Sequence, residues 1–178
     1  MNLCIRKAKP SDLDQIEKLY ADLCDYLSEG VNYPGWKKDI YPTAVDALKG
    51  IEEQTLYVAA DGDVIVGSVI LRHWPEKNYE QAQWITANDY SKIYVIYTLA
   101  VHPKYLRMGV AENLLAFSEE KAKEEECISI RLDVVKGNIP AENLYKKSGF
   151  RYVDTISLGY EEFGLPWFCL YEKPLHPE

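Results

Sequence analysis

Two stretches of the 178-residue chain carry side chains whose types and spacing could do chemistry. In the first, Leu99, Ala100 and Val101 close an apolar run and His102 and Pro103 turn the chain. Leu106, Arg107, Met108, Gly109, Val110 and Ala111 then lead into a helical pattern. The first turn of a helix leaves backbone N–H groups without partners, and the macrodipole puts partial positive charge there. Gly109 and Ala111 keep side chains out of the way, so a pyrophosphate can approach those donors, and Arg107 can add a charge-assisted bond. In the second stretch, Asn138 and Pro140 open a helical pattern that carries Asn143, Leu144 and Tyr145 and ends at Gly149 and Phe150. A tyrosine phenol, of ordinary pKa about 10, can hydrogen-bond or protonate a leaving group. Both stretches also have a purely structural reading: tight packing of helix on sheet for Gly109 and Ala111, and an aromatic on a buried helix face for Tyr145.

The elements that must position these residues follow from periodicity and breakers. Leu3 to Lys9 alternates as a strand, and Ser11 with Asp14 forms a capping-box pattern ahead of Leu13, Ile16, Tyr20, Leu23 and Leu27 at helical spacing. Gly30, Pro34, Gly35 and Pro42 break the next stretch, and Thr43 to Glu53 makes a short helix. Thr55 to Ala60 and Val64 to Arg72 flank Asp61-Gly62-Asp63, a hairpin signal. His73 to Ser91 is a polar and aromatic connection without clear period. Ile93 to Val101 reads as a strand buried on both faces. Gly109 to Glu125 reads as a helix with Val110, Leu114, Leu115, Phe117 and Ala122 inward, and Ile128 to Val135 as a strand. Pro140 to Ser148 is a helix closed by Gly149, where a left-handed residue is wanted. Phe150 to Leu158 and Phe168 to Lys173 supply the last two strands. The order β-α-α-β-β-β-α-β-α-β-β, with hairpins at both ends and crossovers between, implies a mixed sheet. No repeat, low-complexity tract or linker divides the chain, so one domain over residues 1–178 is expected.

On these residues the sequence resembles the GNAT superfamily of acetyl-CoA-dependent N-acetyltransferases. Leu99 to Pro103 looks like the family's Leu-Ala-Val-x-Pro strand end, and residues 106–111 like its Arg/Gln-x-x-Gly-x-Gly/Ala pyrophosphate loop. Asn138 to Phe150 is similar to its Asn-x-x-Ala-x-x-Leu-Tyr-x-Lys-x-Gly-Phe segment. The resemblance implies an α/β (α+β) fold: a mixed, mostly antiparallel sheet of six to seven strands, about four helices, and central strands splayed beyond a β-bulge near Leu99. It further implies that acetyl-CoA, as co-substrate, bonds to the backbone of Leu99, Ala100 and Val101. Leu106, Arg107, Met108, Gly109, Val110 and Ala111 would cradle its pyrophosphate, Asn138 would contact its pantetheine arm, and Tyr145 would face its sulfur as catalytic acid. One departure stands out: Leu106 occupies the position of the family's Arg or Gln, with Arg107 one place later, so re-aimed cofactor contacts are expected.

Acetyl transfer needs a neutral amine, yet a lysine-like amine of pKa about 10.4 is neutral in only roughly one molecule in 10³ at pH 7. Many relatives place a carboxylate on the central strand, but Lys92 to Val101 holds no Asp or Glu, and its uncharged polar side chains are Tyr94, Tyr97 and Thr98. Asp133 ends the neighbouring strand; a structural pair with Arg131 or a loop cap is the reading preferred for it over that of a base. His102 reads as a surface-turn residue, and His73 and Glu76 sit on the connection where an acceptor could bind. Tyr160, Phe163, Trp167, Phe168 and Tyr171 read as core or dimer packing at least as well as an acceptor wall.

Whole-chain properties narrow the classes. A composition 47% hydrophobic and 27% charged is that of an ordinary globular protein. The net charge of −8 gives no general attraction to nucleic acid or anionic lipid; it leaves small-molecule amine, peptide N-terminus and protein lysine open as acceptors and slightly favours a small cationic amine. Cys4, Cys24, Cys127 and Cys169 lie far apart among apolar neighbours, which suggests buried thiols in a reducing, cytoplasmic setting, and no metal-ligand spacing occurs. Homodimers are common among proteins resembling this one. The rival reading is a non-catalytic acyl-CoA-binding or regulatory module on the same fold. A dinucleotide-binding fold fails because the first strand does not lead into Gly-x-Gly-x-x-Gly.

Overall fold

Alternation and helical spacing translate into elements close to those expected. A computed structural model describes residues 1–175, so the end of the expected 1–178 domain, residues 176–178, lies outside the described residues. The elements are β1 Leu3–Lys7, α1 Leu13–Ser28, α2 Ala44–Glu52, β2 Leu56–Asp61, β3 Val64–Arg72, β4 Ile93–Val101, α3 Val110–Glu124, β5 Ser129–Val135, α4 Ile139–Lys147, β6 Arg151–Ile156 and β7 Phe168–Pro174. The seven strands lie in the order β1-β2-β3-β4-β5-β7-β6. Pairing is antiparallel for β1 with β2, β2 with β3, β5 with β7 and β6 with β7, and parallel for β4 with β5. The chain gathers into two units: Met1–Asn32, Trp36–Leu71 and Tyr97–Phe117 in the first, and Tyr33–Gly35, Arg72–Ile96 and the residues from Ser118 on in the second.

In the first unit, Ile16, Leu19, Tyr20, Leu23 and Leu27 of α1 and Ala47 and Ile51 of α2 bury against Leu56, Val58, Ile65 and Ile70 of the hairpin strands. Burying a large aliphatic side chain contributes about 1.5–3 kcal/mol, so this stripe dominates the docking of both helices. The start of α1 differs from expectation. Ser11 and Asp14 do not cap it; a 3-10 turn, Pro10–Asp12, precedes the helix. Asp12 accepts from the Lys9 backbone N–H at 2.7 Å and from both Arg6 Nη atoms at 2.7 and 2.9 Å. A bidentate guanidinium from β1 is a stronger partner than a serine hydroxyl, and it decides which carboxylate is used. At α2, expected only as a short helix over Thr43 to Glu53, Thr43 is the N-cap, and Asp46 accepts from its backbone N–H at 2.8 Å.

In the second unit, β5 alternates strictly. Ile130, Leu132 and Val134 are buried apolar residues on one face, while Ser129, Arg131 and Asp133 share the other. The connection after β3, without clear period in the sequence, contains two 3-10 turns, Tyr79–Gln81 and Tyr90–Lys92, and Tyr79 is fully buried. Cys24, Cys127 and Cys169 are buried thiols as expected, whereas Cys4 on β1 is exposed. Leu3 and Ile5 flank Cys4, and alternation turns its side chain to the opposite face from theirs.

Candidate active site

The pyrophosphate-type motif lies in the first unit. Within β4, Thr98 takes φ +46, an irregularity directly ahead of Leu99 where the bulge was expected. A β-branched residue in the left-handed region costs on the order of 1–3 kcal/mol, and the surroundings hold it there. The Tyr41 hydroxyl bonds to Thr98 Oγ1, and Thr98 is buried. Ala100 and Val101 are buried, and beyond them the His102 N–H donates to Val66 O at 2.9 Å, tying the strand end to β3. The loop then exposes Leu106, Arg107 and Met108, with Arg107 at φ +62 and Gly109 at φ +82. Left-handed residues two positions apart, on either side of Met108, turn backbone N–H groups toward one side, the geometry of an anion-binding concavity at a helix start. A Cβ added at Gly109 would approach only Asn113 Nδ2, at 3.6 Å, so the space before the helix is open.

Gly67 on β3 sets how close α3 comes. A Cβ there would lie 2.8 Å from Val110 Cγ1, 3.1 Å from Ala100 O and 3.1 Å from Leu114 Cδ1. The helix start therefore rests on bare backbone. This approach was not among the sequence expectations, although a glycine inside a β-rich strand is the signal for it. His102 is occupied structurally: its Nε2–H donates to Asp22 Oδ2 at 3.1 Å and its Nδ1 accepts from the Lys104 backbone N–H at 3.2 Å.

The second motif lies in the second unit. Asn138 is buried and its Oδ1 accepts from the Ala141 backbone N–H at 3.3 Å, capping α4. Gly149 takes φ +88, as expected, and the Phe150 N–H returns to Tyr145 O at 3.0 Å. Tyr145 is buried, with its ring 6.0 Å from that of Phe150 and 6.3 Å from that of Tyr171. Burial, and then the negative charge of Asp133, hold its phenol well above the ordinary value of 10.0, so it keeps its proton throughout the neutral range.

The Arg131–Asp133 pair expected from the sequence does not form. Arg131 instead bonds through Nε to Glu172 at 3.1 Å, its cross-strand neighbour on β7. Its other nitrogens donate to Asn88 Oδ1 at 2.7 Å, Tyr90 OH at 3.0 Å and Thr86 O at 2.9 Å, and the guanidinium lies 4.3 Å from the centre of the Trp84 ring. Glu172 also takes the Ile85 backbone N–H at 2.6 Å. Directly opposed charges on adjacent strands meet more easily than residues two apart on one strand. This pair pins residues 84–90 of the connection onto β5 and β7.

Asp133 is thereby left with a different partner. Its Oδ2 accepts from the Tyr79 hydroxyl at 2.7 Å. Burial, against the opposing effect of the Tyr79 bond and with help from the Glu76 charge, pushes its pKa up to about 7. Burial pushes Tyr160 up to about 12, with Glu76 and Asp133 adding to it. The second unit thus gathers two carboxylates and three phenols (Glu76, Asp133, Tyr79, Tyr145 and Tyr160). Of these, Asp133, Tyr145 and Tyr160 are raised above their ordinary values, a pattern common where protons are moved. Tyr79 was missed in the sequence because its segment has no period to place it. Tyr94, one of the polar residues of β4, donates to Glu125 Oε2 at 2.5 Å, and the His73 ring stacks on it at 4.3 Å. Phe163 and Trp167 are exposed, while Phe168 and Tyr171 are in the core. Among the described residues, no group of three His, Cys, Asp or Glu side chains could hold a metal ion, and no helix is long and apolar enough to cross a membrane.

Comparison with known proteins names the class. The model of the acetyltransferase (GNAT) family matches residues 16–150, a span that contains both motifs. The chain belongs to this family and is an enzyme of the GNAT acetyltransferase type. It is 31% identical over 160 residues to an N-alpha-acetyltransferase of Sulfurisphaera tokodaii, covering 89% of this chain and 86% of that protein. The fold is shared with the N-acetyltransferase from Staphylococcus aureus Mu50 (TM-score 0.74, 18% identity, 99% of this chain and 100% of that one). It is also shared with yncA of Salmonella typhimurium, solved with its cofactor acetyl-CoA (TM-score 0.73, 15% identity, 100% of this chain and 96% of that one).

Proposed function

We propose that this protein transfers an acetyl group from acetyl-CoA directly to a primary amine, with both substrates bound together and no covalent enzyme intermediate. The observation that carries this reading is the family match over residues 16–150, which includes both motifs in family order. Its span across both units also supports treating the chain as one N-acetyltransferase domain. The acetyl-CoA complex of yncA supports acetyl-CoA as the co-substrate. In this reading the backbone of Leu99, Ala100 and Val101 holds the pantetheine arm, and the amides from Leu106 to Ala111 hold the pyrophosphate. The paired left-handed residues Arg107 and Gly109 fit that anion, and the exposed Arg107 compensates for Leu106. Asn138 caps α4 and lines the arm, and Tyr145 is the catalytic acid.

The chemistry follows from these assignments. A neutral amine nitrogen attacks the thioester carbon, and the C–N bond forms as the C–S bond breaks. Tyr145, held protonated, donates to the departing sulfur, and the proton lost from nitrogen restores the phenol. The acceptor is either a peptide N-terminus or a small cationic amine. The name of the Sulfurisphaera tokodaii relative supports a peptide N-terminus, and the net charge of −8 supports a small cationic amine. Free cysteines, three of them buried, support a cytoplasmic setting.

Thermal melts with acetyl-CoA, NADH and ATP, followed by CoA release with candidate amines, test the reading. Acetyl-CoA at about 100 times its dissociation constant should add about 2.7 kcal/mol, several degrees for a domain of this size. Tyr145→Phe should keep that stabilisation and lose about 10²-fold or more in kcat. Full turnover in Tyr145→Phe removes the phenol from the mechanism. Stabilisation without CoA release for any amine favours the non-catalytic acyl-CoA-binding module.

A further inference from the structure

Among the described residues, Thr98 stands apart from the other non-glycine residues with positive φ: it is β-branched, and it lies inside a strand. A residue of that shape persists in the left-handed region only where its surroundings hold it. Its place in β4 is marked by a change of phase. Tyr97 and Ala100, three residues apart, both pack against the core formed by α1, α2, β2 and β3. Regular alternation turns residues an odd number of steps apart to opposite faces. Thr98 is the step that shifts the phase, and it turns the peptide plane that leads into Leu99.

The residue that holds Thr98 is Tyr41. The Tyr41 hydroxyl bonds to Thr98 Oγ1 across 57 residues of sequence and fixes the rotamer of a buried side chain. Tyr41 is in turn fixed by its own loop. Its backbone N–H donates to Lys37 O at 3.0 Å, its carbonyl accepts from the Lys37 N–H at 3.1 Å, and the Trp36 and Tyr41 rings stand edge to face at 5.9 Å. Asn32 Nδ2 donates to the Trp36 carbonyl at 2.7 Å, which ties this support to the turn after α1. Glycine would take the conformation of Thr98 without strain but would be as free to leave it. A threonine held by a phenol gives a kink that stays in place.

On this basis, and resting on the proposed acetyl transfer, we infer that Tyr41 is a positioning residue. Through Thr98 it holds the kink that aims the backbone of Leu99, Ala100 and Val101 at the pantetheine arm and its thioester. Its effect falls on the half of the cofactor that this backbone grips. The pyrophosphate, assigned to the amides from Leu106 to Ala111, is held independently of it.

The test uses the full-length protein and reads binding as well as turnover. Melting curves and titrations are recorded with acetyl-CoA and with adenosine 3′,5′-bisphosphate, which carries the nucleotide and a 5′-phosphate but no pantetheine. Tyr41→Phe should weaken acetyl-CoA about 5- to 10-fold, the usual worth of one hydrogen bond, and leave the bisphosphate unchanged. Thr98→Val keeps the shape and the strain but loses the bond, and should match Tyr41→Phe. Thr98→Gly relieves the strain and should lose less than Thr98→Val. A role in packing alone gives the reverse order, because glycine leaves a cavity that valine fills. That reverse order overturns the inference, as does equal weakening of both ligands in Tyr41→Phe, or wild-type acetyl-CoA affinity in that variant. A wild type that acetyl-CoA does not stabilise overturns the proposed acetyl transfer and this inference together. One that binds acetyl-CoA through Tyr41 but releases no CoA with any amine overturns the transfer alone, so the two failures are distinct.

Discussion

Two aspartates in this chain are pushed in opposite directions, and the difference has consequences for stability. Arg6 holds Asp12 below its ordinary value of 3.8, whereas burial raises Asp133 from the same value to about 7. For Asp12 the stabilisation is present above the unfolded value and is lost as pH falls through the lower folded one. Asp12→Asn should therefore cost about 1 kcal/mol at neutral pH and progressively less on acidification. For Asp133 the sign reverses. Its ionised form is disfavoured in the fold, so the penalty is absent below the unfolded value and complete above the folded one. Asp133→Asn should raise the melting temperature at about pH 8 and leave it nearly unchanged at about pH 4. Equal shifts at both pH values would show that the substitution acts through packing alone.

At the scale of elements, two contacts set where the functional residues stand. Gly67 lets α3 start against the backbone of β3, with no room for a Cβ beside Val110 and Ala100. Gly67→Ala should cost about 1–3 kcal/mol by overpacking. It should also weaken stabilisation by acetyl-CoA, because Val110 heads the helix whose first amides are assigned to the pyrophosphate; loss of stability with unchanged acetyl-CoA response would separate α3 from that role. The Arg131–Glu172 pair, fully buried, staples the connection to β5 and β7. Glu172→Ala leaves an uncompensated guanidinium and should cost about 3–5 kcal/mol in chemical denaturation. Periodicity made the order of strands and helices legible, as well as Gly149 as the left-handed end of α4. The start of α1 was not legible, because Arg6 selects Asp12 through a contact that local pattern does not contain. Nor were the partners that Ser129, Arg131 and Asp133 find on the connection, 41 to 54 residues earlier on a segment without period. Motif residues such as Gly109 and Tyr145 could be found by type and spacing. Tyr79 could not, because its burial and its hydroxyl bond to Asp133 leave no mark in the sequence that sets it apart among 14 tyrosines.

Over the whole molecule, the net charge of −8 acts on two substrates of opposite sign. A cationic amine is drawn toward an acidic protein, while acetyl-CoA, carrying phosphates, is repelled by it and, under the proposed assignment, is held by the local field of Arg107 and the α3 amides. Added salt screens exposed charges beyond about 8–10 Å, so the general field weakens while short contacts persist. The Michaelis constant for a cationic α-amine should therefore rise with ionic strength, whereas that for acetyl-CoA should fall or stay level. Arg107→Ala should change the acetyl-CoA response most, since it removes a local contact and leaves the general repulsion, and it should leave the salt dependence for the amine as in wild type. Steady-state kinetics at low and moderate salt on both proteins read this directly. A Michaelis constant for the amine that ignores salt would mean that recognition rests on the short-range groups near Asp133 and Glu76, with the acidic surface serving solubility alone.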